Sequence, residues 1–266
     1  MTHHDSSWRI VPTTRIYNFR DYGGYSVESG GQMVLGRLFR SGDHSDANAL
    51  DQAVVAKLGL AAIADLRSKM EREESPNLLP EEFKGKVYIN RGHTQVRTPH
   101  LVGSEDGQSP SQAEVRERYI TIYRGFPVTE SIVGSLKAYF SSVLETDGAV
   151  LVHCLAGKDR TGIAVALLQR LLGVSLKDVM DDYVSTNSSG DVEARISAQA
   201  GYMLKHNPNL TAEAIKTLLS VEPEYLLSFF DAIESTHGSV SDYANNTLGV
   251  SLSDQAELRA KFITKR

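Results

Sequence analysis

The segment AVLVHCLAGKDRTGIAVALLQRLL, residues 149–172, constrains the fold more tightly than any other stretch. Its first residues are small or β-branched and apolar, which reads as a buried strand. Everything after Thr161 is apolar on nearly all sides, which reads as a buried helix. A short polar loop with one glycine joins them, so this chain must accommodate a strand, a tight turn and a core helix in immediate succession. That unit needs a layered α/β architecture, because a strand buried on both faces requires cover on both.

The rest of the chain supplies the partners. Strand-length apolar runs occur at RLFRSG from Arg37, LAAIADLRS from Leu60 and KVYINRG from Lys86. Helical patterns lie between them. SDANALDQAVVAKLGL offers Ser45 and Asp46 as caps and stops at Gly59, while PVTESIVGSLKAYFSSVLE has Pro127 in a first-turn position and a stripe of Ile132, Leu136, Tyr139, Phe140 and Val143. After Thr161 all patterns are helix-like, so the C-terminal hundred or so residues are predicted to be helical. The expected fold is α/β, a mostly parallel sheet flanked by helices, with a helical C-terminal extension over roughly 190–266. Residues 1–266 are expected to form a single domain, because the strand-rich first part cannot cover its own sheet. Residues 92–112, GHTQVRTPHLVGSEDGQSPSQ, are polar and long for a connection, and are predicted to form a mobile loop or lid.

Composition narrows the function classes. A net charge of −5 and a pI near 5.9 argue against a general nucleic-acid or anionic-membrane binder. No apolar run approaches the roughly 18 residues needed to span a bilayer, and MTHHDSSWRI lacks the pattern of a cleaved signal. A cytoplasmic protein is expected, or one secreted without a classical signal peptide. His3 and His4 have no third ligand beside them, so they read as a terminal tail, and no metal site or cofactor is expected. The single cysteine, Cys154, excludes an intramolecular disulfide and leaves a buried filler or a catalytic thiol.

The loop HCLAGKDRTG favours the catalytic reading. A loop opening a helix directs successive backbone N–H groups, here those of Leu155, Ala156, Gly157 and Lys158, together with the positive end of the helix dipole, at one point. This is an anion cradle. Gly157 allows a left-handed turn, and five residues separate Cys154 from Arg160, a spacing that brings thiol and guanidinium around one oxyanion. The same field activates a thiol as a nucleophile, and the arginine fork clamps phosphate oxygens more strongly as charge develops on them. Thr161 is placed to donate its hydroxyl to the sulfur, and His153 to brace the loop by hydrogen bonding.

These residues resemble the C-x5-R-[ST] signature of the protein tyrosine phosphatase superfamily. With YNFRDYGGY (Tyr17 to Tyr25), LFRSG (Leu38 to Gly42) and ADLRS (Ala64 to Ser68) in order upstream, the chain is similar to the atypical bacterial tyrosine/serine phosphatase family. The resemblance implies a protein-tyrosine-phosphatase-like sheet and a phosphomonoester hydrolase acting through a phosphocysteine. Its substrates would be phosphoproteins or phosphoinositides, with inorganic phosphate held in the loop. The leaving alcohol needs a general acid, and no Trp-Pro-Asp segment provides one. Three candidates stand: Asp159 within the loop, Asp65 at the end of a neighbouring strand, and Asp21, which also reads as a turn brace. Lys158 is read as a contact for a second phosphate or a rim charge, against a solvated loop lysine. Arg67 and Arg40 either orient Asp65 and the loop or are ion-pair partners. Two other classes are weighed, a catalytically silent phosphate-binding module and a rhodanese-like sulfurtransferase.

Overall fold

A computed structural model describes residues 9–92, 110–189, 192–206 and 208–265. The segment predicted as a lid falls almost wholly outside the described residues, as do His3 and His4.

The sheet is built around β6 (Ala149–His153), every residue of which is buried. β3 (Leu38–Ser41) and β4 (Leu60–Asp65) flank it in parallel, β5 (Lys86–Ile89) extends the β4 side in parallel, and β1 (Arg20–Asp21) closes the β3 side antiparallel. Side chains alternate as a pleat demands. Phe39, Ile63 and Leu151 share one cluster with Val11, Ile16, Phe19 and Val55; Leu38, Ala62, Ala64, Val150 and Val152 belong to the other. The first face is thus covered by the N-terminal segment and α1 (Ala49–Lys57), the second by the later helices.

Those later helices are α3 (Gln112–Gly125), α4 (Glu130–Glu145), α5 (Asp159–Leu172), α6 (Leu176–Val184), α7 (Val192–His206), α8 (Ala212–Leu219), α9 (Pro223–His237), α10 (Val240–Tyr243) and α11 (Leu252–Phe262). α2 (Lys69–Glu74) follows β4. α5 is buried on all sides and ends at Gly173, whose φ of 90° sits in the left-handed region. One hydrophobic cluster runs from Tyr22 through α5 to Phe262. Among the described residues, no helix is long and apolar enough to cross a membrane.

Three local predictions are corrected. α1 is capped by Asn48, not Ser45 or Asp46, because Asn48 and Asp51 complete a reciprocal capping box while Ser45 bonds Asp43 and Asp46 pairs with Arg15. Pro127 lies in a 3₁₀ turn, Phe126–Val128, that precedes α4. The C-terminal part is not all helix: β7 (Ile263–Thr264) pairs antiparallel with β2 (Gln32–Met33), a strand too short to show a period.

Candidate active site

Parallel register aligns the carboxyl ends of three strands, with Ser41 and Asp65 both opposite His153. Cys154 is the next residue, buried at 3% exposure, and α5 begins five residues later with Asp159. The loop between can be only one shape. Gly157 has φ +64°, and a Cβ there would lie 2.4 Å from the backbone of Ser41.

What makes the loop a cradle is where its carbonyls go. Cys154 O accepts from His153 Nδ1 (3.1 Å), Leu155 O from the Asp43 amide (3.0 Å), and Gly157 O from both Asn18 Nδ2 (2.7 Å) and Arg40 Nη2 (2.9 Å). In a trans peptide the N–H points opposite to the C=O. The amides of Leu155, Ala156 and Lys158 are therefore turned to the other side of the loop. Among the described residues, no hydrogen bond uses the amides of Leu155, Ala156 or Gly157. Such convergent N–H groups at the start of a buried helix bind an oxyanion.

Arg160 is locked by a residue the sequence reading missed. Its Nη1 and Nη2 donate to the two oxygens of Glu71, both at 2.7 Å, and Nη1 also reaches Leu66 O (3.2 Å). Glu71 is in turn held by its capping box, taking the Ser68 amide at 2.7 Å. Burial works against the Glu71 charge, but the Arg160 hydrogen bonds and charge outweigh it and hold the carboxyl below its ordinary range. The signal was present as Ser-Lys-Met-Glu, residues 68–71, an S-x-x-E box that marks a helix start but names no partner.

The acid candidates occupy different settings. Asp159 Oδ1 accepts from Tyr123 Oη at 2.7 Å, and Tyr183 Oη donates in turn to Tyr123 Oη, also at 2.7 Å. Asp65 is gripped by Arg67, whose Nε and Nη2 reach its two oxygens at 3.0 and 2.8 Å. Burial opposes that charge, yet the hydrogen bonds and charge of Arg67 prevail and push the carboxyl well below the ordinary range. This counts against Asp65 as a proton donor near neutral pH, and Arg67 is its ion-pair partner. Asp21 accepts from the Gly23 and Gly36 amides, at 2.7 and 2.6 Å, and so holds its own turn.

His153 is fully buried, and burial holds it in the neutral form. Its Nδ1 donates to Cys154 O, leaving Nε2 to accept from Asn77 Nδ2 at 3.1 Å. Two side chains depart from expectation. Lys158 is neither a solvated lysine nor a rim charge: its ammonium is buried and donates to Leu218 O (2.7 Å), Ser220 O (3.1 Å) and Tyr119 Oη (3.1 Å), at the end of α8. The predicted bond from Thr161 to the Cys154 sulfur is not formed, for the buried Thr161 Oγ1 has no hydrogen-bond partner.

The comparisons with known proteins agree with this geometry. The chain is 32% identical over 260 residues to a provisionally named tyrosine-protein phosphatase of Cupriavidus necator, covering 93% of this chain and 86% of that one. It is 28% identical over 252 residues to the triple specificity protein phosphatase PtpB of Mycobacterium tuberculosis, covering 85% of this chain and 90% of the relative. A tyrosine-protein phosphatase of Nostoc commune matches at 29% over 145 residues, 54% of this chain and 46% of that protein. Residues 11–264, nearly the full length, match the tyrosine phosphatase family as a whole, and the chain is a phosphatase that belongs to it.

Proposed function

We propose that this phosphatase hydrolyses phosphomonoesters through Cys154, with phosphotyrosine as its first substrate class. The observation that carries the reading is the pairing of an outward-turned loop backbone with an Arg160 fork fixed by Glu71. In the first step the Cys154 sulfur bonds to phosphorus, the bond from phosphorus to the ester oxygen breaks, and Asp159 gives that oxygen a proton. Water then attacks phosphorus, Asp159 takes its proton, and the S–P bond breaks to release inorganic phosphate. Arg160 and the loop amides hold the equatorial oxygens throughout.

Asp159 suits the acid role better than Asp65, since it faces a single ammonium, Lys158 Nζ at 3.3 Å, and no arginine fork. The name of the M. tuberculosis relative supports reach to phosphoserine, phosphothreonine or phosphoinositides as well. Lys158 spends its donors on α8, so a second phosphate on an inositol ring would meet the loop without that ammonium. The shared cluster from Tyr22 to Phe262 supports a single folding unit.

Turnover of p-nitrophenyl phosphate in EDTA tests the mechanism. Activity should persist with chelator and vanish in Cys154→Ser; survival of that variant's activity would overturn it. A panel of phosphotyrosine, phosphoserine and phosphoinositide substrates then ranks the classes, and a preference for the lipid would reverse our order.

A further inference from the structure

Two N-terminal blocks, Asn18 to Asp21 and Leu38 to Ser41, take no direct part in the chemistry above, yet both end on one peptide bond of the loop. Arg40 Nη2 donates straight to Gly157 O at 2.9 Å. Arg20 acts through a relay: its Nη1 donates to Asn18 Oδ1, which turns the Asn18 amide so that Nδ2 donates to the same Gly157 oxygen at 2.7 Å. Asn18 adopts φ 57° to do this, a left-handed conformation that asparagine tolerates better than most side chains.

Behind this double contact is a buried cluster of charge. Asp182 on α6 takes Arg40 Nη1 at 3.0 Å, Arg20 Nε at 3.5 Å and Arg9 Nη1 at 3.9 Å, and its Oδ1 also accepts from Tyr25 Oη at 3.3 Å. Arg20 and Arg40 are almost wholly buried, so these two guanidinium groups meet one carboxylate away from solvent. Asp21, the other acid nearby, spends both oxygens on backbone amides. Burial, with Arg40 alongside, pushes the Arg20 guanidinium down to about 9, which is what an excess of buried cations does. Buried ion clusters are costly unless balanced, so this one is a poor choice if stability alone is at stake. It becomes intelligible if the missing negative charge is the substrate's.

We propose that Arg20 and Arg40 are positioning residues for phosphate: with Asp182 as their counter-ion, they pin the Gly157–Lys158 peptide with its N–H turned to the anion and back the loop with positive charge. The inference rests on the phosphatase reading for its purpose. Its test reads phosphate binding alone.

Inorganic phosphate binding is measured by calorimetry on the full chain, with thermal unfolding in parallel. Arg40→Gln should weaken phosphate about tenfold, the scale of one charge-assisted hydrogen bond, and Arg40→Lys should recover most of that. Asp182→Asn deletes the lone anion, so the folded variant should bind phosphate as tightly as the parent or several-fold more tightly, although it melts lower. A merely structural hub predicts the opposite, weaker phosphate in proportion to lost stability. Should Asp182→Asn fail to fold, the Arg40 pair decides: unchanged affinity in Arg40→Gln, or equal losses in the Gln and Lys variants, overturns the proposal. Loss of the phosphatase reading would show separately, as turnover that survives Cys154→Ser.

Discussion

The two ends of the loop are held by different kinds of grip. At the Cys154 end the sheet edge does the holding, through His153 on the Cys154 carbonyl and the Asp43 amide on Leu155. At the Asp159 end the helices do it, through Tyr123 on Asp159 and the α8 carbonyls on Lys158. The first end is set by strand register, which admits few alternatives. The second is set by side chains from helices remote in sequence, so it can be altered without disturbing the cradle. The two roles we propose for the loop, phosphate binding and proton delivery, are thereby separable within one short segment.

Breaking the cradle should cost most. Glu71→Ala leaves Arg160 buried without its partner, which is expected to lower unfolding free energy by about 3 kcal/mol and to cut kcat/KM on the order of 10²-fold. Urea unfolding and p-nitrophenyl phosphate kinetics check this; a variant with normal kcat/KM would show that the fork needs no clamp. Next in size is Lys158→Met, which takes the ammonium from Ser220 O and leaves Leu218 O with Tyr119 Oη as its donor, and should cost about 2 kcal/mol, with a smaller fall in phosphate affinity. If phosphate binding falls as far as it does in the Glu71 variant, the two ends are not separable.

Tyr123→Phe should cost about 1–2 kcal/mol, because the lost hydroxyl both donates to Asp159 and accepts from Tyr183. Its kinetic effect sharpens the comparison: kcat should drop several-fold more for alkyl phosphates, whose leaving group needs a proton, than for p-nitrophenyl phosphate. Equal losses on both would detach Tyr123 from the acid. Acid pH should act on the Cys154 end in two stages. Burial holds His153 neutral, and likewise His44, whose Nε2 lies 3.1 Å from Ser41 Oγ; both sit below their usual pKa, so the unfolded chain takes up their protons and stability should begin to fall as pH drops below about 6.5. Asp65 and Glu71 are shifted down, so their contribution is present above about 4 and is lost as pH falls through their folded values, steepening the decline. Urea midpoints from pH 8 to 3 follow both stages, and a flat profile between 7 and 5 would refute the first.

The same contrast explains what could be read in the amino-acid sequence. Strands such as Ala149–His153 announce themselves because burial on both faces demands continuous apolar residues, and Cys154 and Arg160 because their spacing is local. Asn48 as the cap of α1 was missed because three capping residues stood within four positions and only bonds seen in the fold, Ser45 to Asp43 and Asp46 to Arg15, removed two of them. Glu71 and Tyr123 were invisible for a related reason. Each meets the loop across a separation of dozens of residues, 89 for Glu71 with Arg160 and 36 for Tyr123 with Asp159, and a helix start or an amphipathic stripe does not say which neighbour it will find. Lys158 was misread because a lysine beside an aspartate in a loop normally faces water.

The bond from Lys158 to Leu218 also orders events in time. The two residues are 60 positions apart, so at 5–20 residues per second the lysine is synthesised roughly 3 to 12 s before the carbonyl that receives it. A nascent chain already long enough to contain Cys154, Arg160 and Glu71 has Tyr119 and Asp159 to meet this ammonium but still lacks both of its main-chain acceptors. The catalytic loop is settled only when α8 has been made, which delays a working phosphatase until translation has passed well beyond its own signature.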